Sequence, residues 1–155
     1  MSSETEGIPI ESEPDPKLRL FVAVPLWDDF RERNRHYYVS LKKLPLDLKW
    51  VKPENWHITL KFLGPVPQSQ VAPLVESLGE HLKGLSPITF ELAGLGGFPR
   101  LSKCRVLWVG ATEGRKKLNA LAHKVAEACR EAGTPGDRKN FQAHLTLARS
   151  RNNPL

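Results

Sequence analysis

Two short stretches of this 155-residue chain carry side chains suited to proton transfer. The first is NWHITLKFLG, residues 55–64, and the second is NFQAHLTLAR, residues 140–149. Both contain His-x-Thr-Leu, and their histidines stand 87 positions apart. Side chains alternate faces along a strand. One face of the first stretch therefore holds Trp56, Ile58, Leu60 and Phe62, all apolar, and the other holds Asn55, His57, Thr59 and Lys61. In the second, Phe141, Ala143, Leu145 and Leu147 oppose Asn140, Gln142, His144 and Thr146. Each stretch reads as a strand that fixes one face on a core and presents His beside Thr on the other.

Two histidines work together as acid and base when one is neutral and the other protonated. That mixed state is well populated near neutral pH. Two hydroxyls, one beside each histidine, can donate to the non-bridging oxygens of a phosphate, and Lys61 could add positive charge on the face of His57. The substrate this set suits is a phosphodiester, whose displacement needs a proton removed on one side and delivered on the other. A plainer reading makes either histidine a half-buried sheet residue bonded to nearby backbone, but it explains the matched pair poorly. A zinc site would want a third and usually a fourth ligand. Neither polar face carries an acid or a cysteine, and His36, His81 and His123 fall on expected helices without partner spacing. No metal and no cofactor is expected.

The elements that must position these strands follow from pattern. Residues 18–25, LRLFVAVP, are apolar and β-branched and stop at proline, which reads as a buried strand. Residues 27–44 read as a helix with Asp28 and Asp29 at its positive end. Residues 49–63 read as two extended segments broken at Pro53, and 68–83 as a second helix closed by Gly84. Strands are expected at 87–95 and 105–111, with GGFPR between them as a loop. Leu118, Leu121, Ala122, Val125 and Cys129 repeat at helical spacing within 115–132, and Gly133 closes that helix. A basic loop, GTPGDRKN, leads to the last strand at 141–148. The order β-α-β-α-β-β-α-β is an α+β pattern with helices returning strands to antiparallel sheets. Each half has a strand, a helix and a His-x-Thr strand, a similarity too short to count as a sequence repeat.

Composition narrows the partners. Residues 1–16 hold five acids and no base, with three prolines and little apolar content, which reads as a disordered acidic leader. Residues 17–155 then form one domain with 23 basic against 12 acidic residues, a net +11 that favours RNA or DNA. No apolar run approaches the ~20 residues of a membrane span, so no membrane is expected. Cys104 and Cys129 offer neither metal spacing nor a disulfide framework, and without an export signal the cytoplasm is the default. A monomer is favoured, with the oligomeric state left open.

The paired motifs resemble those of the two-histidine phosphoesterase superfamily. Within it, LRLFVAVPL, WVKPENWHITLKFLG, ITFELAGLGGFP, RVLWVGA and HLTLAR are very similar to the RNA 2′,3′-cyclic phosphodiesterases, also described as RNA 2′,5′-ligases, over 18–149. The resemblance implies a bilobal α+β fold of two antiparallel sheets with outer helices and a central cleft lined by the His-x-Thr strands. It implies metal-independent hydrolysis of RNA 2′,3′-cyclic phosphate ends to 2′-phosphomonoesters. His57 would be the proton donor and His144 the acceptor, although the two sequence contexts are too symmetric to assign these roles themselves. Thr59 and Thr146 would hold the phosphate, with Lys61 and Arg149 as further phosphate-binding candidates. Ligation would use an RNA 5′-hydroxyl as the nucleophile. Strict alternation puts Arg149 on the apolar side, so it reaches the phosphate only if the strand ends or bulges. Arg100, Lys103, Arg138 and Lys139 are candidate RNA-backbone contacts.

Three departures from the family pattern stand out. Ala143 replaces a usual proline before the second histidine, and Pro65 follows Gly64 where the family commonly has glutamate. The sequence stops at Leu155, six residues after Arg149, where relatives continue with strand-forming sequence. The expectation is one lobe short of strands, with an uncovered sheet edge. Two other functions stay open: an RNA-binding relative with impaired catalysis, and a phosphodiesterase for a small cyclic-phosphate nucleotide.

Overall fold

The computed structural model describes residues 14–151. Most of the expected leader, 1–13, and the last residues, 152–155, lie outside that range. Two of the three leader residues inside it are anchored: Asp15 accepts from the Ser69 hydroxyl and N–H, and the Pro16 carbonyl accepts from Gln68 N–H.

The chain runs β1 (Lys17–Pro25), α1 (Asp28–Leu41), β2 (Leu48–Trp50), β3 (His57–Pro67), α2 (Val71–Leu82), β4 (Leu92–Phe98), β5 (Val106–Ala111), α3 (Arg115–Glu131) and β6 (His144–Ser150). Short 3-10 turns at Pro53–Asn55, Gln68–Gln70 and Leu101–Lys103 link them. All strand pairs are antiparallel: β1 with β3 in one sheet, and β2-β6-β5-β4 in the other. The expected pair of antiparallel sheets with helices is therefore present, with two strands in the first sheet among the described residues and four in the second.

Each sheet has its own core. Ile58, Leu60, Leu63 and Val66 of β3 pack with Leu74 of α2 and with Leu118, Ala122, Val125 and Cys129 of α3. Leu26, Trp56, Leu145 and Leu147 form the second cluster, covered by Phe30, Tyr38 and Leu41 of α1. A fully buried side chain such as Ile58 or Val125 contributes about 1.5–3 kcal/mol from removal of apolar surface from water. Helix α3 thus crosses from the second half of the chain to cover the first sheet, and α1 crosses the other way. No helix among the described residues is long and apolar enough to cross a membrane.

Strict alternation fails in both histidine strands. Val22 pairs with Lys61 but Ala23 with Thr59, leaving Leu60 as an unpaired extra residue. Leu63 is a second such bulge, because Leu20 pairs with Gly64 and Phe21 with Phe62. Leu63 takes the core position, so Phe62, expected on the apolar face, is 49% exposed. In β6, Trp108 of β5 pairs with Thr146 and Leu107 with Ala148, leaving Leu147 unpaired. Leu60 and Leu147 each stand three residues after a histidine, so pairing slips at the same offset in both strands, although in β3 the faces keep alternating past Leu60 and switch only at Leu63.

The fourth strand also lies further along than expected. Residues 87–91 are irregular, and GGF, expected in a loop, forms the end of β4. Gly96 and Gly97 are strand glycines that admit bulky neighbours, the Trp108 indole at 96 and the Cys104 side chain at 97.

Candidate active site

His57 opens β3 and His144 opens β6, so the two sheets bring the two motifs to one place. A cleft of about 480 Å³ lies between them. Thr59 and Lys61 line it from β3, and His144, Thr146 and Arg149 from β6. His57 is not in the cleft wall itself. It stands two residues before Thr59, and its charge is close enough to bear on His144.

Both rings are fixed the same way. His57 Nδ1 lies 2.7 Å from the Asn55 carbonyl oxygen, and His144 Nδ1 lies 2.6 Å from that of Gln142. A carbonyl oxygen only accepts, so each Nδ1 carries the proton and donates it. Each Nε2 is then the working nitrogen, a proton acceptor when the ring is neutral and a donor when it is charged. The backbone contact foreseen in the plainer reading of the histidines is present, and it fixes each ring with its Nε2 free.

Electrostatics separates what the sequence left symmetric. Burial pushes the His144 imidazole below its ordinary value, and the positive charge of Arg149 and the neighbouring His57 push it the same way. The Gln142 carbonyl opposes them without prevailing. The His144 ring therefore gives up its proton more readily than a free imidazole.

Arg149 reaches the cleft because Leu147 bulges. Leu147 and Ala148 are both buried, at 8% and 0% exposure, which turns Arg149 onto the side of His144 and Thr146. Lys61 lines the cleft too, but its ammonium is bonded to the Asp137 carbonyl oxygen at 2.5 Å, with the Asp137 carboxylate 3.8 Å away. It ties the loop before β6 to β3. Of the loop bases, Lys139 lines the cleft, while Arg100, Lys103 and Arg138 are exposed outside its lining.

The sequence reading missed the aromatic walls. Phe21 lies 5.2 Å from the His57 ring and 6.0 Å from Phe62. Phe98 meets His144 edge-on at 5.0 Å, and Trp108 lies 5.8 Å from it. The paired apolar strands were visible, but which aromatics turn toward the histidines depends on bulges that no single strand reveals. His81 and His123 face Glu131 and Glu127 instead of the cleft. Among the described residues, no three His, Cys, Asp or Glu side chains converge as a metal ion requires.

Two antiparallel sheets that bring paired His-x-Thr strands to one cleft define a phosphoesterase of the two-histidine class. The pattern of the LigT like Phosphoesterase family matches residues 24–108, and the chain belongs to that family. It is 41% identical to an RNA 2′,3′-cyclic phosphodiesterase of Archaeoglobus fulgidus, over 88% of this chain and 76% of that protein. The enzyme of that name from Aquifex aeolicus is 41% identical over 65% of this chain, and the one from Geobacillus stearothermophilus 38% over 83%. The chain spans 54% and 41% of the length of those two relatives. The crystal structure of Escherichia coli LigT in apo form superposes with a TM-score of 0.70 at 26% identity, covering 89% of this chain and 75% of that one. That of TT0787 from Thermus thermophilus gives 0.70 at 30% identity, covering 89% and 80%.

Proposed function

We propose that this chain hydrolyses RNA 2′,3′-cyclic phosphate ends to 2′-phosphomonoesters by paired-histidine acid-base catalysis. The observation that carries the proposal is the pair of Nδ1-tethered histidines at the starts of two strands whose His144, two threonines and arginine line one cleft, with the His144 imidazole pushed below its ordinary value by burial. The names of the relatives support the same reading.

The chemistry follows from which nitrogen is free. Water attacks the phosphorus, and His144 Nε2 takes its proton. The bond from phosphorus to O3′ breaks, and charged His57 delivers its Nε2 proton to O3′. The products are a 2′-phosphate and a 3′-hydroxyl. Thr59 and Thr146 donate to the non-bridging oxygens, and the Arg149 guanidinium offsets their charge. An RNA 5′-hydroxyl in place of water would give a 2′,5′ linkage by the same proton movements. Cys104 and Cys129, both buried free thiols, fit a reducing compartment such as the cytoplasm.

The test is an RNA oligonucleotide ending in a 2′,3′-cyclic phosphate, with the product terminus mapped. The expected product is a 2′-phosphate, formed equally in EDTA. His57→Ala and His144→Ala should each lower kcat about 100-fold to 10,000-fold. Full activity in either variant would refute the mechanism. RNA binding without turnover at any pH would favour an impaired RNA-binding relative instead.

A further inference from the structure

The sequence GGFP and the tryptophan of RVLWVG take no part in the chemistry above, yet they meet behind its base. In antiparallel sheets, paired residues point to the same side. Gly96 of β4 pairs with Trp108 of β5, Trp108 with Thr146 of β6, and Gly110 of β5 with His144. Phe98 pairs with Val106, and both line the cleft. One face of the sheet therefore carries two bare glycines, two aromatic rings and the catalytic strand. The Trp108 indole lies over both glycines. A Cβ at position 96 would sit 2.6 Å from indole Cε2 and closer still to Cζ2 and Cη2, and one at position 110 would sit 3.0 Å from Cζ3. The rings of Phe98 and Trp108 are 5.2 Å apart, and His144 touches both.

We propose that Trp108 is a positioning residue for His144: its indole, admitted by Gly96 and Gly110, forms with Phe98 an aromatic seat that holds the imidazole in its proton-accepting pose. The consequence for rate rests on the hydrolytic reading above, whereas the seat itself does not. The indole N–H is buried with no partner among the described residues. Packing, not a hydrogen bond, therefore fixes this ring, and a phenyl group would avoid the unpaired donor. What the indole adds is reach toward His144. The seat also accounts for the burial that depresses His144. The charged groups on the cleft around the ring are Arg149 of its own strand, Lys61 of β3, and Asp137 and Lys139 of the preceding loop, with His57 acting on it from β3. The faces of β4 and β5 add only Phe98, Val106 and Trp108. His57 has no comparable seat, because its aromatic neighbour Phe21 is 50% exposed.

The experiment is an NMR titration of the His144 ring in the wild type, Trp108→Leu, Gly96→Ala and Trp108→Phe, with the signal assigned by its loss in His144→Gln. No substrate is needed, so the result stands apart from whether cyclic phosphate is hydrolysed. Trp108→Leu and Gly96→Ala should raise the His144 midpoint, because water enters where the indole sat. Trp108→Phe, which keeps one ring, should fall between them and the wild type. On cyclic-phosphate RNA, kcat should drop about 10-fold to 100-fold with KM within about threefold, as for a displaced catalytic group. Gly96→Ala keeps every original side chain and decides the matter if Trp108→Leu does not fold. Variants that melt at a lower temperature with an unmoved His144 midpoint would reduce Trp108 to a packing residue and overturn the proposal.

Discussion

Arg149 puts a permanent positive charge on the same cleft as His144 and Thr146, where the proposed phosphodiester would need one. A guanidinium matches phosphate oxygens two at a time, which an ammonium cannot do. Arg149→Ala is expected to raise KM for cyclic-phosphate RNA about 10-fold to 100-fold, the worth of a charged hydrogen bond, with Arg149→Lys recovering part of it. Arg149 also helps hold His144 below its ordinary value. The acid limb of kcat/KM should therefore move to higher pH in the alanine variant, and steady-state kinetics across pH would show it. A KM and limb identical to wild type would remove Arg149 from the site. His57, Thr59, His144 and Thr146 were legible because each pair lies ahead of its bulge, where alternation holds. Arg149 lies beyond one, so its side of the strand was not. The Lys61 partner was hidden as well, because Asp137 is 76 positions away and only the fold brings it near.

The loop from Gly133 to Asn140 shows how an element is held by its neighbours. Asp137 N–H donates to the Phe62 carbonyl at 3.0 Å, and Lys61 bonds the Asp137 carbonyl. Gly136 has φ of 68° and presses on the Phe62 carbonyl, with its missing Cβ position 3.1 Å from Leu63 Cα. Lys61→Met should destabilise by about 1–3 kcal/mol, because it leaves a part-buried carbonyl unpaired. Asp137→Ala should cost under about 1 kcal/mol, since its carboxylate is only a distant partner. Chemical denaturation of both variants checks this order, and the reverse order would mean that the carboxylate does the holding. Helices were the legible elements. Gly84 and Gly133 end α2 and α3 at φ of 72° and 76°, as their place after an apolar period suggested. The strand β4 was misplaced because its glycines resemble a turn in isolation, and only Trp108 across the sheet explains them. The start of β6 was set too early for a similar reason. Phe141 packs against the first core, so the segment before His144 is approach, not ladder.

For the molecule as a whole, charge and protonation set the working conditions. The +11 of residues 17–155 should make RNA affinity fall with salt, with a log–log slope near −0.7 for each phosphate contacted on a single strand. Fluorescence anisotropy with a labelled oligonucleotide across a KCl series measures it, and a flat response would argue against a phosphate-led interface. Stability should also depend on pH through His144. Its folded value lies below 6.5, so the unfolded chain binds this proton first. That contribution is fully present above pH 6.5 and is lost as pH falls from there through the depressed folded value. Urea midpoints over this range should decline, and His144→Gln should flatten the decline. Element order pointed to an α+β class with antiparallel sheets, and the two-sheet plan was legible through the family resemblance. The crossing of α1 and α3 to opposite sheets was not, because nothing in an amphipathic stripe says which sheet it will cover.

Leu147 gives β6 a change of parity. Before it, even-numbered residues face the cleft, and after it, odd-numbered ones do. Were that leucine kept but paired in step, without the bulge, composition, hydropathy and every residue type needed for chemistry would be unchanged. The strand would then count evenly to its end, and the guanidinium would be dealt to the core while an apolar neighbour faced the phosphate. A homologue one residue shorter here would need no bulge to turn its arginine to the same side, so a one-residue gap at this point can join two sequences with the same binding surface.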